Sequence, residues 1–188
     1  GTTEDPFIPA ELVFGARGTF FGRSLDVELK TTQEVLVAAA KHRGASVVEL
    51  LQNCVIFNQG IHGYVSDKEN RPEHTIHLRH GEKMLFGKDN EKGIVQDGFG
   101  LKAVTVGEDG YTIDDVLTHD AHCKSNLLHQ QLAMMDGVTM PLAIGVIRDV
   151  EALVYDEEVD IQTHEVEAKK PYKTLREMIM SGETWEVK

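Results

Sequence analysis

The sequence predicts an α/β fold built on a parallel sheet, and three observations carry that prediction. A β-prone run at 19–23, a helical pattern over 31–43 and a mostly apolar run at 46–51 follow one another with short joints. That is the order of a strand-helix-strand unit, whose crossover is right-handed in nearly all known cases. The chain's 188 residues, 41% apolar and 27% charged, match the composition of a globular protein with a real core.

The elements can be justified in order. Residues 9–16 open with Pro9, which suits a first helical turn, and a short helix should close near Gly18. Thr19-Phe20-Phe21-Gly22-Arg23 reads as a strand. Thr31-Thr32-Gln33-Glu34 has the hydroxyl and carboxylate of a capping box. Val35, Leu36, Ala39 and Ala40 then recur at helical spacing, and Gly44 supplies a stop. Ser46–Leu51 suits a parallel strand covered on both faces. Thr75–His80 and Lys83–Phe86, joined by Gly81-Glu82, predict a β-hairpin. Residues 59–100 are long and polar, so an arm packing against a partner chain is expected there. Further strands are expected at 101–106 and 143–147, with a helix near 122–135 capped by Asp120. An acidic tail from about 155 should end in a helical turn or two at 175–180. The expected organisation is thus 1–58, 59–100 and 101–188.

Charge and cysteine content narrow the function classes. Nineteen Lys and Arg against 31 Asp and Glu give −12. Such a chain repels phosphate backbones, and no basic stripe with interleaved aromatics appears, so neither nucleic acid nor an anionic membrane is an expected partner. No apolar run approaches the ~20 residues that cross a bilayer. No signal-peptide pattern is present. Two cysteines make no disulfide framework, so a reducing, cytoplasmic location is expected. The chain opens on Gly1 rather than Met, which suggests a piece of a longer polypeptide.

Several motifs are missing. There is no Gly-x-Ser-x-Gly, no His-Glu-x-x-His and no glycine-rich phosphate loop. His74, His77 and His80 are spaced by three, but on a strand His77 faces away from the other two. His119, His122 and Cys123 form a second group near an expected helix start. Cys54 follows directly on the apolar run 46–51. Ligands in open parallel sheets bind at the carboxyl ends of strands, so its position is a functional one. A lone cysteine there can equally be a small buried hydrophobe. Both readings stand on the residues alone.

A resemblance favours the first. Phe20-Phe21-Gly22-Arg23, the helix end Ala39-Ala40-Lys41-His42-Arg43-Gly44, and Val47–Asn58 with its Cys54-Val55-Ile56-Phe57-Asn58 resemble the β subunit of 2-oxoacid:ferredoxin oxidoreductases, the 2-oxoglutarate type in particular. Phe86-Gly87-Lys88-Asp89, Lys92-Gly93-Ile94 and Pro141–Arg148 look like the C-terminal half of that subunit. Asn53 stands where the family usually has Pro, and Ile56 where it has Thr. The resemblance implies the C-terminal part of a thiamine-diphosphate-binding domain plus a C-terminal extension. It implies a heteromeric enzyme that decarboxylates a 2-oxoacid, forms an acyl-CoA and passes electrons through a [4Fe–4S] cluster to ferredoxin, or runs the reverse. Cys54 matches the family's fourth cluster ligand. The Gly-Asp-Gly that holds Mg²⁺ and the diphosphate has no counterpart in this sequence, nor has the family's Cys-x-x-Cys. The implied partners are the remaining β-subunit residues, an α subunit and ferredoxin. Without them the chain is expected to be inactive. The alternative is a non-catalytic interaction domain with a structural Cys54.

Overall fold

A computed structural model describes residues 3, 4, 7–185 and 187. The chain divides into two compact units, Gly1–Ala152 and Leu153–Lys188. The boundaries expected at 58 and 100 fall inside the first unit.

Helix α1 (Pro9–Gly15) precedes β1 (Phe20–Leu25), α2 (Leu29–Lys41) and β2 (Ser46–Leu51). Two single-turn helices, α3 (Gly63–Ser66) and α4 (Arg71–His74), lead into β3 (Thr75–Leu78). Then come β4 (Leu85–Phe86), β5 (Lys92–Asp97), β6 (Gly100–Thr105), α5 (Leu127–Ala133) and β7 (Leu142–Asp149). The second unit carries α6 (Tyr155–Ala168), a helix not foreseen in the acidic tail, and the expected α7 (Leu175–Met180).

Among the described residues the main sheet has the order β2-β1-β7-β3. β1 and β2 are parallel, with Phe20 opposite Ser46 and Leu25 opposite Leu51, as the strand-helix-strand reading requires. β7 enters beside β1 in the antiparallel sense and pairs with β3 in parallel. The class is α/β as expected, and the sheet is mixed. Gly22 lets α2 settle on β1, since a Cβ there would stand 2.5 Å from Cγ1 of Val35. The main core joins Phe14, Phe21, Ile76, Leu78, Met84, Phe86, Ile94, Leu132 and Ile147. Phe14 and Phe21 meet edge to face with centroids 5.5 Å apart.

Several expectations need correction. Helix α2 starts two residues before Thr31, and the Thr31–Glu34 capping box is not formed. Glu28 N–H bonds Leu25 O directly after β1, so the chain turns into the helix earlier. The Thr32 hydroxyl is then drawn back to Leu25 O at 3.2 Å. β2 is not covered on both faces: among the described residues it is an edge strand, with Val47 and Leu50 exposed and its other four residues half-buried.

Residues 75–86 form no hairpin. β3 pairs with β7, whereas β4 pairs with β5, and β5 with β6, in a separate antiparallel sheet. Segment 59–100 therefore closes this chain's own core through Val65, Ile76, Leu78, Met84, Phe86 and Ile94, instead of standing off as an arm. β6 belongs to that second sheet, so 101–149 is not a self-contained strand-helix-strand. Helix α5 is shorter than the expected 122–135, with Asn126 before it rather than Asp120.

Candidate functional site

Cys54 lies three residues beyond β2, at the carboxyl end shared by β1 and β2. Its loop is pinned at both ends. Asn53 N–H donates to Asp26 Oδ2 at 3.3 Å, tying the loop to the residue after β1. The Asn53 side-chain oxygen accepts from Gly60 N–H at 2.7 Å. A proline at position 53 could make neither bond, having no N–H and no side-chain acceptor. The departure from the family pattern thus comes with its own loop closure.

Inside that loop the backbone folds around the sulfur. Asn58 N–H bonds Cys54 O at 3.0 Å, and Phe57 N–H points at Cys54 Sγ at 3.4 Å. The N–H groups of Phe57 and then Ile56 hold the Cys54 thiol below its ordinary value, with slight burial opposing them. Donors aimed at sulfur favour the thiolate, which is the metal-ligating and nucleophilic form. Cys54 is half-exposed, so it is no packed core thiol. Beside it, Val55, Ile56 and Phe57 expose 68%, 80% and 90% of their surface, three consecutive apolar side chains without cover among the described residues.

The remaining sequence candidates do not converge. His74 Nδ1 donates to Gly137 O at 2.8 Å, and its ring lies against Tyr64. His80 and His122 approach with ring centroids 4.2 Å apart. His122 Nδ1 is committed to Asp149 O, while Asp120 accepts from His122 N–H instead of capping a helix. Cys123 is half-buried, and its carbonyl accepts from Arg148 Nη1 at 3.0 Å. Among the described residues no group of three or more His, Cys, Asp and Glu could hold a metal ion.

His119, from the second group, is joined by His129, which the sequence reading did not single out. His119 and His129 are both fully buried. His119 Nε2 donates to Val146 O at 2.9 Å, and its Nδ1 has no partner. Burial pushes its pKa down to about 4, partly countered by that bond. His129 Nε2 donates to Asp120 O at 2.8 Å, and its Nδ1 accepts from Arg148 Nη1 at 2.9 Å. Burial, and then the Arg148 charge, lower its pKa too. Both are neutral structural groups.

The fit of the implied cofactors follows from this geometry. A cubane takes four ligands, usually thiolates. Cys54, with amide donors on its sulfur, fits one of the four, and no second thiolate lies in its loop. Nothing among the described residues fits the magnesium and diphosphate end of thiamine diphosphate, for lack of a carboxylate or histidine cluster.

Taken together, the fold and site define a mixed α/β protein that presents a single polarised thiol at a sheet's carboxyl end. Comparison then gives the particular relative. The chain is 34% identical, over a 190-residue alignment, to 2-oxoglutarate oxidoreductase subunit KorB of Mycobacterium tuberculosis (strain ATCC 25618 / H37Rv). All of this chain is covered, but only half of that subunit. The chain thus spans about half the length of the curated relative it matches, consistent with a C-terminal portion of a β subunit. No family model matches, and no solved structure matches.

Proposed function

We propose that this chain is the C-terminal part of the β subunit of a 2-oxoacid:ferredoxin oxidoreductase of the 2-oxoglutarate type, and that Cys54 gives one thiolate to a [4Fe–4S] cluster. The complete assembly converts a 2-oxoacid and CoA to the acyl-CoA and CO₂, delivering two electrons to ferredoxin, or runs the reverse. The observation that carries this reading is the Cys54 loop, whose Phe57 amide donates to Sγ, in a chain similar to KorB along its whole length. Of the implied cofactors, this chain would hold only the cluster, through Cys54, and the cluster would supply single-electron relay there.

This chain's own residues have narrower tasks. Asn53 and Asp26 fix the loop relative to β1 and β2. The amides of Phe57 and Ile56 hold negative charge on sulfur, and such hydrogen bonds tune a cluster's potential. Val55, Ile56 and Phe57 offer apolar surface with which the rest of the subunit would exclude water from the thiolate. The partners are those remaining β-subunit residues, an α subunit and ferredoxin, in the cytoplasm. Among the described residues no helix is long and apolar enough to cross a membrane. A purely structural role for Cys54 finds no support in its exposure. By itself the chain holds one ligand and is inactive.

The test uses the purified native assembly. Cys54→Ser should lower iron content or alter the electron paramagnetic resonance signal of the reduced cluster, and slow ferredoxin reduction at least tenfold. Cys123→Ser should change none of these. An unchanged signal, iron content and turnover in Cys54→Ser would sink the assignment.

A further inference from the structure

We infer that the open side of β6 is a docking groove for an extended strand donated by a different polypeptide chain. The inference does not depend on the role of Cys54.

The hydrogen-bond register of β5 and β6 carries it. Ile94 lies opposite Ala103. Its N–H donates to Met84 O at 3.0 Å and its carbonyl accepts from Leu117 N–H at 2.8 Å, both away from β6. Val106 N–H, three residues beyond Ala103, donates to Glu91 O at 2.8 Å. Facing residues of an antiparallel pair alternate between exchanging both bonds and turning both groups outward. Ala103 is therefore turned outward, and so is Leu101, two positions back and opposite Gln96. Among the described residues nothing bonds the N–H or C=O of either. The neighbouring outward acceptor, Phe99 O, is taken by Gln131 Nε2 at 2.8 Å, while Gln131 Oε1 is buried with no partner. Backbone donors and acceptors repeating at a strand's spacing are what another strand satisfies.

The space beside them has a matching form. Two adjoining hollows follow β6, of about 480 and 290 Å³, and share Thr139 and Met140. The first is lined by Gly100 and Leu101 together with Leu127, Gln131 and Met134 from α5 and its end. The second continues along Ala103, Val104 and Thr105, with Gly137 and Val138. No residue lining the first hollow carries a charge, in a chain with 27% charged residues. In the second the only Asp, Glu, Lys or Arg are Glu73 and Lys92, which pair with each other.

These features define the occupant. Strand side chains alternate between faces, so the incoming segment presents uncharged, apolar residues at every second position. The thioethers of Met134 and Met140 adapt to varied apolar shapes. Phe99 is fully exposed at the β5–β6 turn and lines the first hollow, where it adds an aromatic contact. A second copy of this chain fits less well. It would bring its own β5 against α5 and the 137–141 segment, and two chains of net charge −12 repel each other.

The test titrates the full chain with a blocked hexapeptide, Val-Thr-Val-Thr-Val-Thr, followed by nitrogen-edited NMR and amide hydrogen exchange. One saturable site is expected, with shifts clustered at 99–105 and 127–140. Exchange of the Leu101 and Ala103 amides should be fast in the free chain and slow at least tenfold on binding, while the Ile94 amide is protected throughout. The same peptide with Glu for each Val, or N-methylated throughout, should bind at least tenfold more weakly. Ala103→Pro removes one outward N–H and no bond to β5, and should weaken binding at least tenfold. Met134→Glu, at a half-exposed site, puts a charge in the groove without touching the ladder and should weaken binding three- to tenfold. An unchanged melting temperature will verify folding of each variant. Lys102→Gln, whose ammonium lies over the Tyr111 ring at 5.2 Å, should leave affinity unchanged. Protection of the Leu101 and Ala103 amides in the free chain, absence of saturation, shifts confined to 46–51, or equal binding of either control peptide would each overturn the inference. So would self-association of the chain that Met134→Glu abolishes, since a second copy would then be the occupant.

Discussion

His119 shows at one residue how burial becomes a property of the whole fold. With Nε2 bonded to Val146 O, the neutral ring leaves only a lone pair at Nδ1 without a partner. A proton there would create a buried N–H with nothing to meet it, and a charge as well. For His129 the added proton would face the Arg148 guanidinium. Both folded pKa values lie below the ordinary 6.5, His119 at about 4. Between those values the unfolded chain binds more protons than the folded one. The stabilisation is therefore complete above pH ~6.5 and is lost as pH falls towards 4. From His119 alone this amounts to on the order of 3 kcal/mol. The urea midpoint should accordingly fall between pH 7.5 and pH 5, and His119→Met should flatten that dependence. A midpoint independent of pH in this window would contradict the structural role. At this scale the sequence showed Cys54, because a thiol after a strand carries a recognisable neighbourhood. It did not show the amides turned onto its sulfur or the neutral histidine pair, since both depend on contacts between distant segments.

At the scale of elements, β7 decides the architecture. It lies between β1 and β3, antiparallel to one and parallel to the other. Gly145 makes that position possible: its φ is +104°, and an added Cβ would stand 2.5 Å from Leu78 O. Gly145→Ala should cost on the order of 3–5 kcal/mol, from backbone strain together with a clash against a carbonyl that cannot move without breaking the ladder. A denaturant titration checks this, and a loss under 1 kcal/mol would show that β3 and β7 separate cheaply. Asn53→Ala should leave global stability within about 1 kcal/mol. It should raise the Cys54 thiol pKa, measured by the pH dependence of alkylation, because the loop that aims Phe57 N–H at sulfur loses its clasp to Gly60. The local elements 9–15, 20–25 and 46–51 were legible because Pro9, the Phe pair and the Val-Val run act over a few residues. The 75–86 hairpin was misread for the opposite reason. Gly81-Glu82 is a good turn, but pairing with 142–145 depends on a partner more than 60 residues away. A local glycine signal says nothing about such a partner.

For the whole molecule, the buried side chains among the described residues all belong to the first unit, and neither α6 nor α7 contains a buried residue. A chain ending at Ala152 should therefore keep its near-ultraviolet circular dichroism and melt within a few degrees of the full chain. A collapse of that transition would show that residues 153–188 stabilise the first unit after all. The strand-helix-strand origin of the fold was readable from sequence over such a length because α2 and its two strands are contiguous. The joining of 75–97 to the same core was not, because its polarity masked the few apolar side chains that Ile76, Leu78, Met84 and Ile94 contribute. One further consequence follows from β2. Among the described residues, no strand lies beside its outer rim. Natural sheets guard such rims with lysine, proline or a bulge. Ser46-Val47-Val48-Glu49-Leu50-Leu51 has none of these, and its one charge is spent on Arg23 in the neighbouring strand. Expressed by itself, the polypeptide carries a ready template for recruiting its own kind, so co-expression with a chain that covers β2 should govern its yield more than temperature or induction level.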